Sequence, residues 1–155
     1  MQVNIDDTCD DPSSCTIVTR TAQQVIQHLA PDARFSVNFL LCDDARIQQI
    51  NRDFRHKDTP TDVLSFAYFD ADAIPPLAEE VEIGDIAISL PRVRENSVTH
   101  GVSYQQELEF MVIHGILHVF GYDHETSLED EQRMRELETQ LLKLVESNQT
   151  TPTVQ

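Results

Sequence analysis

The segment from Ser103 to Phe120 constrains the fold more than any other part of the chain. Ser103 and Gln106 have the spacing of a capping box, which predicts a helix that opens there and runs to about Phe120. Its apolar residues fall on nearly every side: Leu108, Phe110, Met111, Val112, Ile113, Ile116, Leu117, Val119 and Phe120. A helix with so little polar face must lie at the centre of the protein, with other elements wrapped round it. No stretch of the chain approaches the roughly 20 consecutive apolar residues that a membrane span needs, so no membrane association is expected.

The flanking sequence supplies the wrapping. Residues 3–5 can form a short strand, followed by a polar loop through Ser14. Over residues 17–29, Val18, Ala22, Val25 and Leu29 recur at helical spacing, and Pro31 follows as a stop. Phe35, Val37, Phe39 and Leu41 alternate with other residues as in a strand. Asp43 or Asp44 can cap a second helix with Ile47, Ile50 and Phe54 on its buried face. Residues 63–69 and 83–90 are β-rich, separated by an acidic, proline-bearing loop, and Pro91 suits the first turn of a further helix. Thr126 and Glu129 form a second capping box before a last helix striped by Met134, Leu137, Leu141 and Leu144.

The 155 residues suffice for one core and contain no repeat or linker. The expected class is therefore α/β or α+β. A single domain spans residues 1–147, with about four strands in a mixed sheet and helices around it. Residues 148–155 read as a frayed tail. The N-terminal MQVNIDDTCDD lacks the basic start and apolar run of a secretory signal, so a cytoplasmic location is expected. Cys9, Cys15 and Cys42 neither pair evenly nor show CxxC spacing, and read as idle thiols.

His114 and His118 lie four apart on the central helix and project from one face, about a turn apart. Gly121 stands where the helix can end in a left-handed turn, after which the chain can swing back to offer His124. Three of the six histidines fall within these eleven residues, which packing alone does not explain. Three neutral imidazoles suit one zinc ion and leave a fourth position open for water, as catalytic sites do. They also accept nickel, copper or iron. The spacing equals that of His-Glu-x-x-His-x-x-Gly-x-x-His proteases, but Gly115 stands where those enzymes carry the glutamate base. Peptide hydrolysis is accordingly the secondary reading.

The formal charge of −16 argues against broad nucleic-acid binding, which draws its affinity from phosphate neutralisation. The charge is uneven, however. Arg46, Arg52, Arg55 and Lys57 face one acid, Asp53, across residues 46–57, a local +3 that leaves −19 elsewhere. Arg55 is a candidate catalytic residue that holds a phosphate in bidentate fashion, against the alternative of a solubilising surface arginine. Asp123 either orients a ligand imidazole or caps the turn. For Glu107, an exposed acid at a helix N-terminus is the simpler reading than one facing the metal. His56 and His100 stay unassigned.

Two motifs, Asn51-Arg-Asp-Phe-Arg-His-Lys-Asp-Thr-Pro-Thr-Asp-Val-Leu-Ser-Phe66 and His114-Gly-Ile-Leu-His-Val-Phe-Gly-Tyr-Asp-His124, resemble those of the YbeY family of bacterial metal-dependent endoribonucleases. Gly84-Asp-Ile-Ala-Ile-Ser89 fits as well. The resemblance implies cleavage of single-stranded RNA, 3′-end maturation of small-subunit ribosomal RNA and a part in ribosome quality control, with ribosomal protein partners and no DNA substrate. It implies zinc held by His114, His118 and His124, and a functional role for Arg55. Ala67 departs from the proline many relatives carry there, outside the site. Attack on the phosphodiester by water or by the ribose 2′-hydroxyl stays open. So does a ribosome-bound factor whose metal only holds the fold.

Overall fold

The computed structural model describes residues 2–70, 73, 80–122 and 127–150. The elements are β1 (Gln2–Asp7), α1 (Pro12–Leu29), β2 (Arg34–Cys42), α2 (Asp44–Arg55), β3 (Val63–Ala67), β4 (Glu80–Ser89), α3 (Leu90–His100), α4 (Tyr104–Val119) and α5 (Leu128–Thr150). The strands form one mixed sheet in the order β1-β2-β4-β3. β1, β2 and β4 run parallel, and β3 pairs antiparallel with β4 at one edge. This is the α/β domain expected, with four strands.

Alternation along β2 separates two cores. Phe35, Val37, Phe39 and Leu41 join α1 and α4 in the larger, and Leu40 faces a smaller cluster of Cys42, Ile47, Ile50 and Ala87 beneath α2. α4 lies at the centre, as its composition requires: Leu108, Val112, Ile113, Ile116 and Leu117 are wholly buried. Full burial of such side chains contributes about 1.5–3 kcal/mol each, so this helix is the main hydrophobic anchor. Its N-terminal capping box is present, Ser103 Oγ accepting from Gln106 N and Gln106 Oε1 from Ser103 N. Two glycines let α4 approach the sheet. A Cβ on Gly115 would come within 2.9 Å of Ile86, and one on Gly84 within 2.8 Å of both Phe66 O and Val119.

Several boundaries differ from the sequence reading. α1 begins at Pro12, well before Ile17, because the Asp11 carboxylate caps it by accepting from Ser14 N at 3.1 Å with proline in the first turn. Of the two possible caps of α2, Asp43 serves, accepting from Arg46 N. α5 reaches Thr150 and takes in residues expected to belong to the tail, while residues 151–155 lie outside those described. Thr126, half of the second expected capping box, also lies outside them, and the Ser127 hydroxyl accepts from Asp130 N. Much of the acidic loop between β3 and β4 is likewise not described.

Phe54 is the clearest correction. Helical spacing put it on the buried face of α2 with Ile47 and Ile50, yet it is 68% exposed. α2 packs on β3 and β4, and Phe54 in its last turn lines an open hollow.

Candidate metal centre

Half-buried Phe110, His114 and His118 form one i, i+4 stripe of α4. The His114 and His118 rings are 4.6 Å apart at 66°, and their Nε2 atoms approach to 3.1 Å. Two imidazoles bound tetrahedrally at about 2.05 Å would hold their nitrogens roughly 3.3 Å apart, so this pair fits one edge of a zinc coordination shell. An N–H···N hydrogen bond between neutral rings gives a similar distance. The helix ends at Val119, and Gly121 just beyond it has a φ of 93° in the left-handed region, as expected. Tyr122 N donates to Leu117 O and Gly121 N to His118 O, which closes the last turn and reverses the chain. His124 and Asp123 lie outside the described residues. Among the described residues no group of three His, Cys, Asp or Glu side chains is placed to hold a metal.

Two neighbours fix the His114 ring. Phe110 stacks on it at 6.2 Å and 29°. Behind it, Glu138 of α5 places a carboxylate oxygen 3.7 Å from Nδ1. Glu138 is only 8% exposed. A carboxylate behind the far nitrogen of a ligating imidazole favours the Nδ1–H tautomer and leaves Nε2 as the donor to a metal. Sequence reasoning missed Glu138, which looks like any acid of an exposed helix until α5 packs against α4.

Arg55 arrives from the other direction. Asn51, buried in α2, donates from Nδ2 to Thr59 O at 2.9 Å, and Lys57 N donates to Asn51 O, so residues 56–60 turn tightly towards β3. His56 serves this turn as the left-handed cap of α2. Arg55 Nη2 then donates to Ser65 O at 2.6 Å, with the guanidinium 5.0 Å from the Phe66 ring centre. Arg55, Ser65, His114 and His118 line one open cavity of about 300 Å³, together with Val63, Leu64 and Ala67. The fold thus joins residues nearly sixty positions apart.

Other candidates fall away from the cavity. Glu107 is not an exposed acid: it is 3% exposed, and both its oxygens lie 3.1 Å from His100 Nδ1. The basic run does not act as one patch. Arg52 pairs with Asp53 at 3.4 Å and Asp58 at 3.8 Å, and Arg46 donates to Gln49, which leaves Arg55 as the cation of this run that lines the cavity. The thiols are free, and burial pushes Cys15 up to about 11 and Cys42 up to about 12, which disfavours their thiolate forms. No described helix is long and apolar enough to cross a membrane.

The family model described as Endoribonuclease YbeY matches residues 4–146. Proteins of that name from Roseiflexus sp. (strain RS-1) and Persephonella marina are 47% and 38% identical to this chain. The first match covers 69% of this chain and 68% of the relative, and the second 84% and 82%. The solution structure of TM1509 from Thermotoga maritima has the same fold, with a TM-score of 0.68 over 99% of this chain and 100% of the other at 24% identity.

Proposed function

The chain belongs to the endoribonuclease YbeY family, and from that premise we propose that it cleaves single-stranded RNA with a metal held by His114, His118 and His124. The family matures small-subunit ribosomal RNA, so the substrate is an unpaired segment near its 3′ end, met in the cytoplasm alongside ribosomal protein partners. The observation that carries the reading is that Arg55 and the His114–His118 pair line the same cavity.

Zinc is the ion best matched to three imidazole donors, and when bound it supplies Lewis acidity and acidifies nearby water. The protein supplies the rest. Glu138 and Phe110 hold the His114 ring so that Nε2 faces His118. Arg55 has five N–H donors, and one of them is tied to Ser65 O. The others can meet two oxygens of a phosphodiester and offset the charge that grows there as the bond to the leaving oxygen breaks. With Gly115 against Ile86, no carboxylate follows His114 as a proton acceptor, which disfavours peptide hydrolysis.

The test is cleavage of a labelled single-stranded RNA by zinc-loaded protein beside His118→Ala purified identically. Cutting by the first alone supports the reading. Equal activity or equal silence sinks the catalytic claim and favours a ribosome-bound factor. A 2′,3′-cyclic phosphate among the products would assign the attack to the ribose hydroxyl.

A further inference from the structure

We propose that Phe54 is the stacking platform for an unpaired base of the RNA, next to the phosphate held by Arg55. This rests on the ribonuclease reading and deepens it by assigning where a base goes. Isolated exposed hydrophobic residues are ordinary on protein surfaces. Phe54 is not isolated. Its ring meets Phe66 edge-on at 5.8 Å and 68°, and Arg55 lies over the other ring of that pair at 5.0 Å. Phe66 lines one hollow and touches, through Arg55, the lining of another. On the α4 side of β3 is the cavity of Arg55, His114 and His118. On the α2 side is a second hollow of about 490 Å³, lined by Phe54, Phe66 and Ile50 among apolar residues and by Asp6, Asn38, Arg46 and Asp85 among polar ones.

A strand of RNA crossing the edge strand β3 with a phosphate at Arg55 has a neighbouring base within reach of Phe54. Every base has a π-face, so an exposed ring accepts any of the four once it is unpaired, whereas a duplex keeps its bases stacked on each other. The platform also suits the charge of −16, since stacking gives affinity that the few available cations cannot.

The chain contains no tryptophan, so Phe54→Trp introduces a single indole at the site. The zinc-loaded variant is titrated with 2′-O-methyl hexa-adenylate and with the same oligomer made abasic, which keeps the phosphates. Saturable quenching by the first and none by the second supports the platform. In parallel, Phe54→Ala raises KM for RNA cleavage by between about five- and a hundredfold, more than it lowers kcat, and Phe54→Tyr restores most of the loss. Equal responses to both oligomers, no response to either, or a wild-type KM in Phe54→Ala overturns the proposal. Quenching by hexa-adenylate in a protein that cuts no RNA would keep the platform and reject the ribonuclease. RNA cleavage with an unchanged KM in Phe54→Ala would do the reverse.

Discussion

The buried carboxylate of Glu138 stands 3.7 Å behind Nδ1 of His114, on the side of the ring away from His118. Such a partner orients the ring and makes its other nitrogen a better donor. Glu138→Gln keeps the shape and removes the charge. Zinc affinity, read by competition with a chromophoric chelator, should fall by about 10- to 100-fold while the fold is retained. An unchanged affinity would reduce Glu138 to a packing residue.

Arg55 is exposed, and among the described residues it ties Ser65 O and rests on the Phe66 ring, so stability should hardly depend on it. Arg55→Ala should leave the unfolding free energy within about 0.5 kcal/mol and lower the RNA cleavage rate by roughly 100- to 1000-fold. Arg55→Lys should not restore the rate, because a lysine is a point charge without the planar fork. Full activity in either variant would contradict the phosphate role.

Zinc bound only to the folded chain should stabilise it by about 2.7 kcal/mol at a free concentration one hundred times Kd. Thermal unfolding with and without chelator measures this, and His118→Ala should lose the difference. A chelator effect that persists in His118→Ala would place the metal elsewhere.

Gly115→Ala should destabilise the protein. The new methyl would sit 2.9 Å from Ile86 Cγ2 and 3.1 Å from its Cδ1. Overpacking of that kind costs about 1–3 kcal/mol and outweighs a helix-propensity gain of at most about 1 kcal/mol. Gly115→Glu should be worse, and it should not create a peptidase. A stable, folded Gly115→Glu protein in urea titration would show this reasoning to be wrong.

Asp11 gives a pH signature. Desolvation pushes its carboxyl up, but hydrogen bonds from Ser14 and Ser13 and the Arg94 charge outweigh it, and the group lies below its usual 3.8. A depressed folded pKa gives stability that is present above the unfolded value and lost as pH falls through the folded one. Asp11→Ala should therefore cost about 1 kcal/mol at neutral pH, with the difference from wild type shrinking below about pH 4. A difference independent of pH would mean the carboxylate charge plays no part in the cap.

The sequence by itself determined the order of elements, the capping box of α4, the central place of that helix, and the pairing of His114 with His118. These follow from local periodicity: a four-residue spacing fixes two side chains on one helical face whatever surrounds them. It also determined the family, because two long motifs carry it.

Which neighbours those faces meet is set by packing of the whole chain. Glu138 stands behind His114 because α5 packs against α4, a contact across 24 positions that no helical spacing encodes. Glu107, which spacing treats as a solvent-facing acid, is buried because α3 ends against α4 and supplies His100. Phe54, which spacing buries with Ile50, is exposed because α2 leaves its last turn beside the hollow at the edge strand. Periodicity fixes the direction of a side chain from its own axis, and packing of the whole chain decides whether solvent or another element lies in that direction.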